Sequence, residues 1–100
     1  MKIHVDNETL SITELKELGA ANSTAFRDQV RASLPEPIKT IEINLSLTTF
    51  IDSCGLGALI ALHKTMCGRN GIVRLLNPTP PVLQILELTR MHRIFEIVKR

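Results

Sequence analysis

Between Ile41 and Met66 the apolar pattern changes its period, and that change decides what the chain can become. Ile41, Ile43 and Leu45 alternate with Glu42 and Asn44, the two-residue period of a strand with one buried face. The chain then passes through Thr48-Thr49-Phe50-Ile51 to the polar pair Asp52-Ser53. Beyond it Leu56, Leu59, Ile60, His63 and Met66 fall on one helical face, and Ala58, Ala61 and Leu62 widen that face. A helix this apolar at its start must pack closely against a sheet. Asp and Ser suit the first helical position, because their side-chain oxygens accept hydrogen bonds from first-turn amides. The dipole also makes that end favourable for negative charge, phosphate included.

The same reading extends to both ends. Lys2 to Val5 alternates as a short strand, Asp6-Asn7-Glu8 is a turn, and Thr9 to Leu15 forms a second strand anchored by Leu10 and Ile12. Lys16 to Ala21 is a connection. Asn22, Ser23 or Thr24 caps a helix to about Ser33, with Phe26, Val30 and Leu34 in register, and Pro35 and Pro37 end it. Ile38 to Leu45 is the next strand, and the Asp52-Ser53 helix runs to about Cys67. After the turn Gly68-Arg69-Asn70-Gly71, Ile72 to Leu76 is a buried strand. Pro80-Pro81 open a third helix that stops near Arg90, and Ile94 to Val98 is a last strand. Strands alternating with helices imply an α/β domain: a mixed, partly parallel sheet of about four to five strands covered by helices. One domain over 1–100 is expected, with no internal repeat or linker.

Composition narrows the function. A net charge of +2 is too small to argue for nucleic acid. The basic stretch Arg90, His92, Arg93, Lys99 and Arg100 lacks interleaved aromatics. No uncharged apolar run approaches the ~18 residues that span a bilayer. Cys54 and Cys67 bracket one helix and so stand ~20 Å apart, too far for a disulfide. Free thiols and a polar N-terminus fit a cytoplasmic protein. His4, His63 and His92 are scattered, and no His, Cys and Asp cluster has metal-ligand spacing. Gly55-Leu56-Gly57 lacks the third glycine of a dinucleotide fingerprint, since Ile60 occupies that place. No metal, cofactor or catalytic residue is expected.

The string Phe50-Ile51-Asp52-Ser53-Cys54-Gly55-Leu56-Gly57 resembles the phosphoacceptor loop of the STAS-domain anti-sigma-factor antagonists. Their pattern is a hydrophobic strand, Asp-Ser-(Ser or Thr)-Gly-Leu-Gly, then a helix. The order of elements fits that domain too, so the resemblance covers most of the chain. It implies a binding module, not an enzyme, phosphorylated on Ser53 by a serine-kinase anti-sigma factor and reset by a phosphatase. The kinase would bring its own ATP. The implied partner surface is Asp52, Ser53, Cys54, Gly55, Leu56 and Gly57 together with Asn22 and Ser23, on a monomer or weak dimer without membrane insertion. This chain departs from the family in three places. Cys54 replaces a hydroxyl residue. Gly19-Ala20-Ala21-Asn22 stands where the antagonists carry Gly-Glu-Leu-Asp, so both acids of a kinase-facing region are gone and Asn22 takes the Asp place. Arg90 stands where the family has Gly.

Other readings of the same residues remain. Ser53 is also a plausible helix cap and nothing more, which would suit a STAS accessory subunit of a transport or other complex. Gly55 and Gly57 either admit a partner backbone or let the helix approach a strand. Cys54, a thiol at a helix start, would be the nucleophile of a thiol enzyme or redox sensor. Against that, a Cys-x5-Arg phosphatase loop would need Arg at position 60, which is Ile. His63 on the apolar face reads as a core or rim histidine.

Overall fold

A computed structural model describes residues 1–100. Strand β1 (Lys2–Asp6) turns through Asn7 and Glu8 into β2 (Thr9–Thr13), pairing Asp6 with Thr9. Asn7 takes the left-handed conformation at φ 54°, which asparagine tolerates in such tight hairpins. Then follow β3 (Glu17–Leu18), α1 (Ser23–Ala32), β4 (Thr40–Asn44), β5 (Phe50–Ile51), α2 (Ser53–Cys67), β6 (Ile72–Leu76), α3 (Pro80–Leu88), a 3-10 turn at Met91–Arg93 and β7 (Glu96–Val98).

The main sheet has the order β1-β2-β4-β6-β7, antiparallel only between β1 and β2. The expected α/β fold with a mixed sheet is therefore present. Several boundaries differ from the sequence reading. The strand expected from Ile38 is regular only from Thr40, α3 ends at Leu88, and Ile94 and Phe95 precede the last strand instead of opening it. The expected connection Lys16–Ala21 contains β3, which pairs in parallel with β5 as a second, two-stranded sheet.

The alternation sorts the main sheet into two faces. Leu10, Ile12, Ile41, Ile43, Val73 and Leu75 point to the helices and are fully buried or nearly so. They share one core with Phe26 and Val30 of α1, Leu56, Leu59, Leu62 and Met66 of α2, and Val82 and Leu86 of α3. On the other face the register lines up Ser11, Glu42, Arg74 and Glu96 across four strands. Arg74 bridges Glu42 and Glu96 at 3.1 Å each, and these hydrogen bonds hold its guanidinium charged.

Candidate functional site

The parallel strands β2 and β4 are neighbours, so the segments leaving their carboxyl ends emerge side by side. One segment continues through β3 to the turn Gly19–Asn22. The other continues through β5 to Asp52. Pairing of Glu17 with Phe50 and Leu18 with Ile51 stitches them together. Buried Thr48 adds a second stitch, its hydroxyl donating to the Leu15 carbonyl, while Thr79 Oγ1 donates to the Thr48 carbonyl at 2.6 Å. Sequence reasoning missed Thr48, because a lone threonine in a loop carries no periodic signal.

Asp52 is the centre of the site. Its Oδ1 accepts from the Gly55 amide at 3.0 Å, which makes it the N-cap of α2. Its Oδ2 accepts from the Ala20 amide at 2.9 Å, so the same carboxylate ties α2 to the turn before α1. These two amides, Gly55 first and Ala20 next, hold the carboxyl below the usual range for aspartate. The capping is thus done by Asp52, and Ser53 is the first helical residue, with its side chain exposed. A hydroxyl there is not needed as a cap.

Asn22 organises the neighbouring turn. Its Oδ1 accepts from the Gly19 amide and its Nδ2 donates to the Glu17 carbonyl, each at 2.9 Å. It stands at the N-terminus of α1 but makes no side-chain cap bond to that helix. Close approach explains two glycines. A Cβ on Gly55 would lie 2.0 Å from the Leu18 carbonyl oxygen, and one on Gly19 would lie 2.8 Å from both Asp52 Oδ2 and Phe50 Cε2. Gly57 is different, with nothing within 4 Å of such a Cβ. The packing reading therefore holds for Gly55 and fails for Gly57.

The structure brings all eight residues of the expected partner surface into two adjoining segments. Ser53, Cys54 and Gly57 are exposed, and Asp52 and Asn22 partly so. Ser23, Gly55 and Leu56 are buried and shape that surface from beneath. Phe50, half exposed, lies against Gly19 and adds an apolar side chain that the sequence reading did not include. The two thiols are free and exposed at opposite ends of α2. Cys54 has no histidine against it. His63 is a rim residue, its ring edge-on to Phe95 with centroids 5.7 Å apart, and its Nε2 lies 3.5 Å from Cys67 Sγ. The arrangement offers an exposed hydroxyl at a helix start, beside a braced loop. No helix is long and apolar enough to cross a membrane.

The family model of the STAS domain matches residues 2–100. A STAS-domain containing protein of Pseudomonas aeruginosa (strain UCBPP-PA14) is 31% identical over 72 residues, which are 72% of this chain and 70% of the relative. Among solved structures, a Thermotoga maritima protein provisionally described as an anti-sigma factor antagonist superposes with a TM-score of 0.90 at 25% identity, covering 99% of this chain and 85% of that one. The anti-sigma factor antagonist SpoIIAA in its unphosphorylated form gives 0.84 at 21% identity, covering 99% and 86%. The Bacillus protein in its phosphorylated form gives 0.76 at 20%, covering 99% and 89%. The last two likenesses are of fold.

Proposed function

From the premise that this chain belongs to the STAS domain family, we propose that it is a regulatory binding module of the anti-sigma-factor-antagonist kind, switched by phosphorylation of Ser53. It acts in the cytoplasm as a single domain over 1–100 and has no catalysis of its own. Unphosphorylated, it binds a serine-kinase anti-sigma factor and so frees the sigma factor. Phosphorylated by that kinase, it lets go, and a phosphatase returns it to the binding state. Asp52, Ser53, Cys54, Gly57 and Asn22 form the contact surface, with Ser23, Gly55 and Leu56 supporting it.

The observation that carries this reading is the division of labour between Asp52 and Ser53. Asp52 does the capping, so the Ser53 hydroxyl is exposed and free of any structural duty. Adding a phosphate there costs the fold little. It brings about −1.5 to −2 charges and strong acceptor oxygens to a helix N-terminus, which tolerates them. Repulsion from Asp52, whose lowered pKa keeps it ionised, leaves the outer surface strongly anionic. The partner surface thereby changes while the core does not. The existence of SpoIIAA in unphosphorylated and phosphorylated forms supports the same chemistry on this fold.

The test is phosphopeptide mapping of the chain isolated from its native cells, with Ser53→Ala as control. Phosphate on Ser53 that vanishes in the variant is the expected result. A chain that is unphosphorylated under every growth condition would sink the switch.

A further inference from the structure

Helices α1 and α2 each return from the carboxyl end of one parallel strand to the amino end of the next, so they lie side by side in the same direction. Between their outer faces runs a solvent-open groove of about 400 Å³ lined by Arg31, Gly57, Ile60, Ala61, Lys64 and Thr65. Its polar and apolar parts are sorted. Arg31 and Lys64, both exposed and both in the last turns of their helices, stand at one end. Neither appears in any of the ion pairs, which join Lys2 to Glu14, Arg27 to Asp28, Arg74 to Glu42 and Glu96, and Arg100 to Glu42. The Thr65 hydroxyl is already committed to the Ala61 carbonyl at 3.0 Å. The floor is Ile60, Ala61 and the bare backbone of Gly57, above which the space is empty. Ser53, Gly57, Ile60 and Lys64 recur at helical spacing, so Ser53 heads the stripe that lines the groove.

We propose that this groove docks an acidic segment of a protein partner. Carboxylates pair with Arg31 and Lys64, and an apolar side chain settles over Gly57 against Ile60. Charge complementarity selects this occupant. Two unpaired cations at one end are too few for a nucleic-acid track, and the groove has no aromatic platform for bases. The loop that would face the same partner, Gly19 to Ala25, carries no charged residue, so these cations are the groove's only charged contacts. The inference goes beyond the phospho-switch, because docking needs no phosphate. It does give the switch a direction: a phosphate on Ser53 would stand one turn, about 6 Å along the axis, from Gly57 and repel an acidic occupant.

The experiment is a heteronuclear NMR titration of the unphosphorylated full chain with a short capped Glu/Leu/Ala peptide, and with its Gln/Leu/Ala counterpart. Shifts are expected at Arg31, Gly57, Ile60, Ala61 and Lys64 with the acidic peptide, weakening as salt rises. At least a roughly tenfold loss of affinity, the scale of one good charged contact, is expected for the Gln peptide, for Arg31→Glu/Lys64→Glu, and for Gly57→Glu. The last substitution enters empty space, and circular dichroism checks that each variant is folded. Equal binding of the Gln peptide, or by either variant, overturns the proposal. So do shifts confined to another surface such as Arg90–Arg93, or no shifts up to about 1 mM peptide. Because the chain in this titration carries no phosphate, failure of the Ser53 mapping and failure of the groove are separate results.

Discussion

Asp52 accepts amides from two segments that are far apart in sequence, Gly55 in its own helix and Ala20 thirty-two residues earlier. Asn at this position would keep one oxygen but turn an NH2 group toward a donor. Asp52→Asn is therefore expected to lower the melting temperature at pH 7. The deficit has a definite pH dependence. The folded-state pKa lies below the unfolded one, so the carboxylate's contribution is complete above the unfolded value and lost as pH falls through the folded one. Thermal melts of the two proteins should differ at neutral pH and begin to converge only as pH falls below about 4. The two glycines after it make an opposed pair. Gly55→Ala drives a methyl into the Leu18 carbonyl and should cost about 2–3 kcal/mol, an overpacking penalty against rigid backbone. Gly57→Ala meets nothing and should gain about 0.5–1 kcal/mol from helix propensity. Urea unfolding of both variants reads the difference directly.

At the scale of elements, the end of α3 carries a local conflict. Arg90 adopts φ 62°, left-handed, between the helix and the 3-10 turn. An L-residue there costs roughly 1–2 kcal/mol that glycine avoids. This explains why the resembling family has Gly at this place. Arg90→Gly is expected to stabilise the chain by about 1 kcal/mol in the same unfolding assay. Elements of this kind also show what could be read from the sequence. Helix α2 was legible because a capping pair and an apolar face of four turns reinforce each other. Strands β2 and β4 were legible from alternation, and β6 as a short apolar run between turn signals. Strands β3 and β5 were not, since two residues cannot display a period, and their pairing joins segments that are distant in sequence. The site was legible as a string, Asp52 to Gly57, and as a second stretch around Asn22. Which of Asp52 and Ser53 caps the helix was not, because both residue types cap well and only backbone geometry separates them. The grip of Asp52 on Ala20 and the stitch through Thr48 are long-range contacts without local signature.

The whole molecule is compact, with a radius of gyration of 12.2 Å, close to the ~13 Å expected for a packed domain of this length. Its helices and loops gather at the core face and at the carboxyl ends of the strands, which leaves the sheet with two outer strands, β1 and β7. They are unequal. β7 is three residues long, while β1 has five, and Val5 on it is 43% exposed. Along β1 the side chains turned away from the core are Lys2, His4 and Asp6. Polar residues of this kind are how natural sheets discourage a neighbour from adding a strand. The margin of β1 thus acts as a guard rail against self-association. Replacing Lys2, His4 and Asp6 together by valine should make the chain aggregate more than the parent as it is concentrated, which light scattering across a concentration series reads. Resistance to strand addition would then rest on three side chains that lie on the sheet face opposite the core.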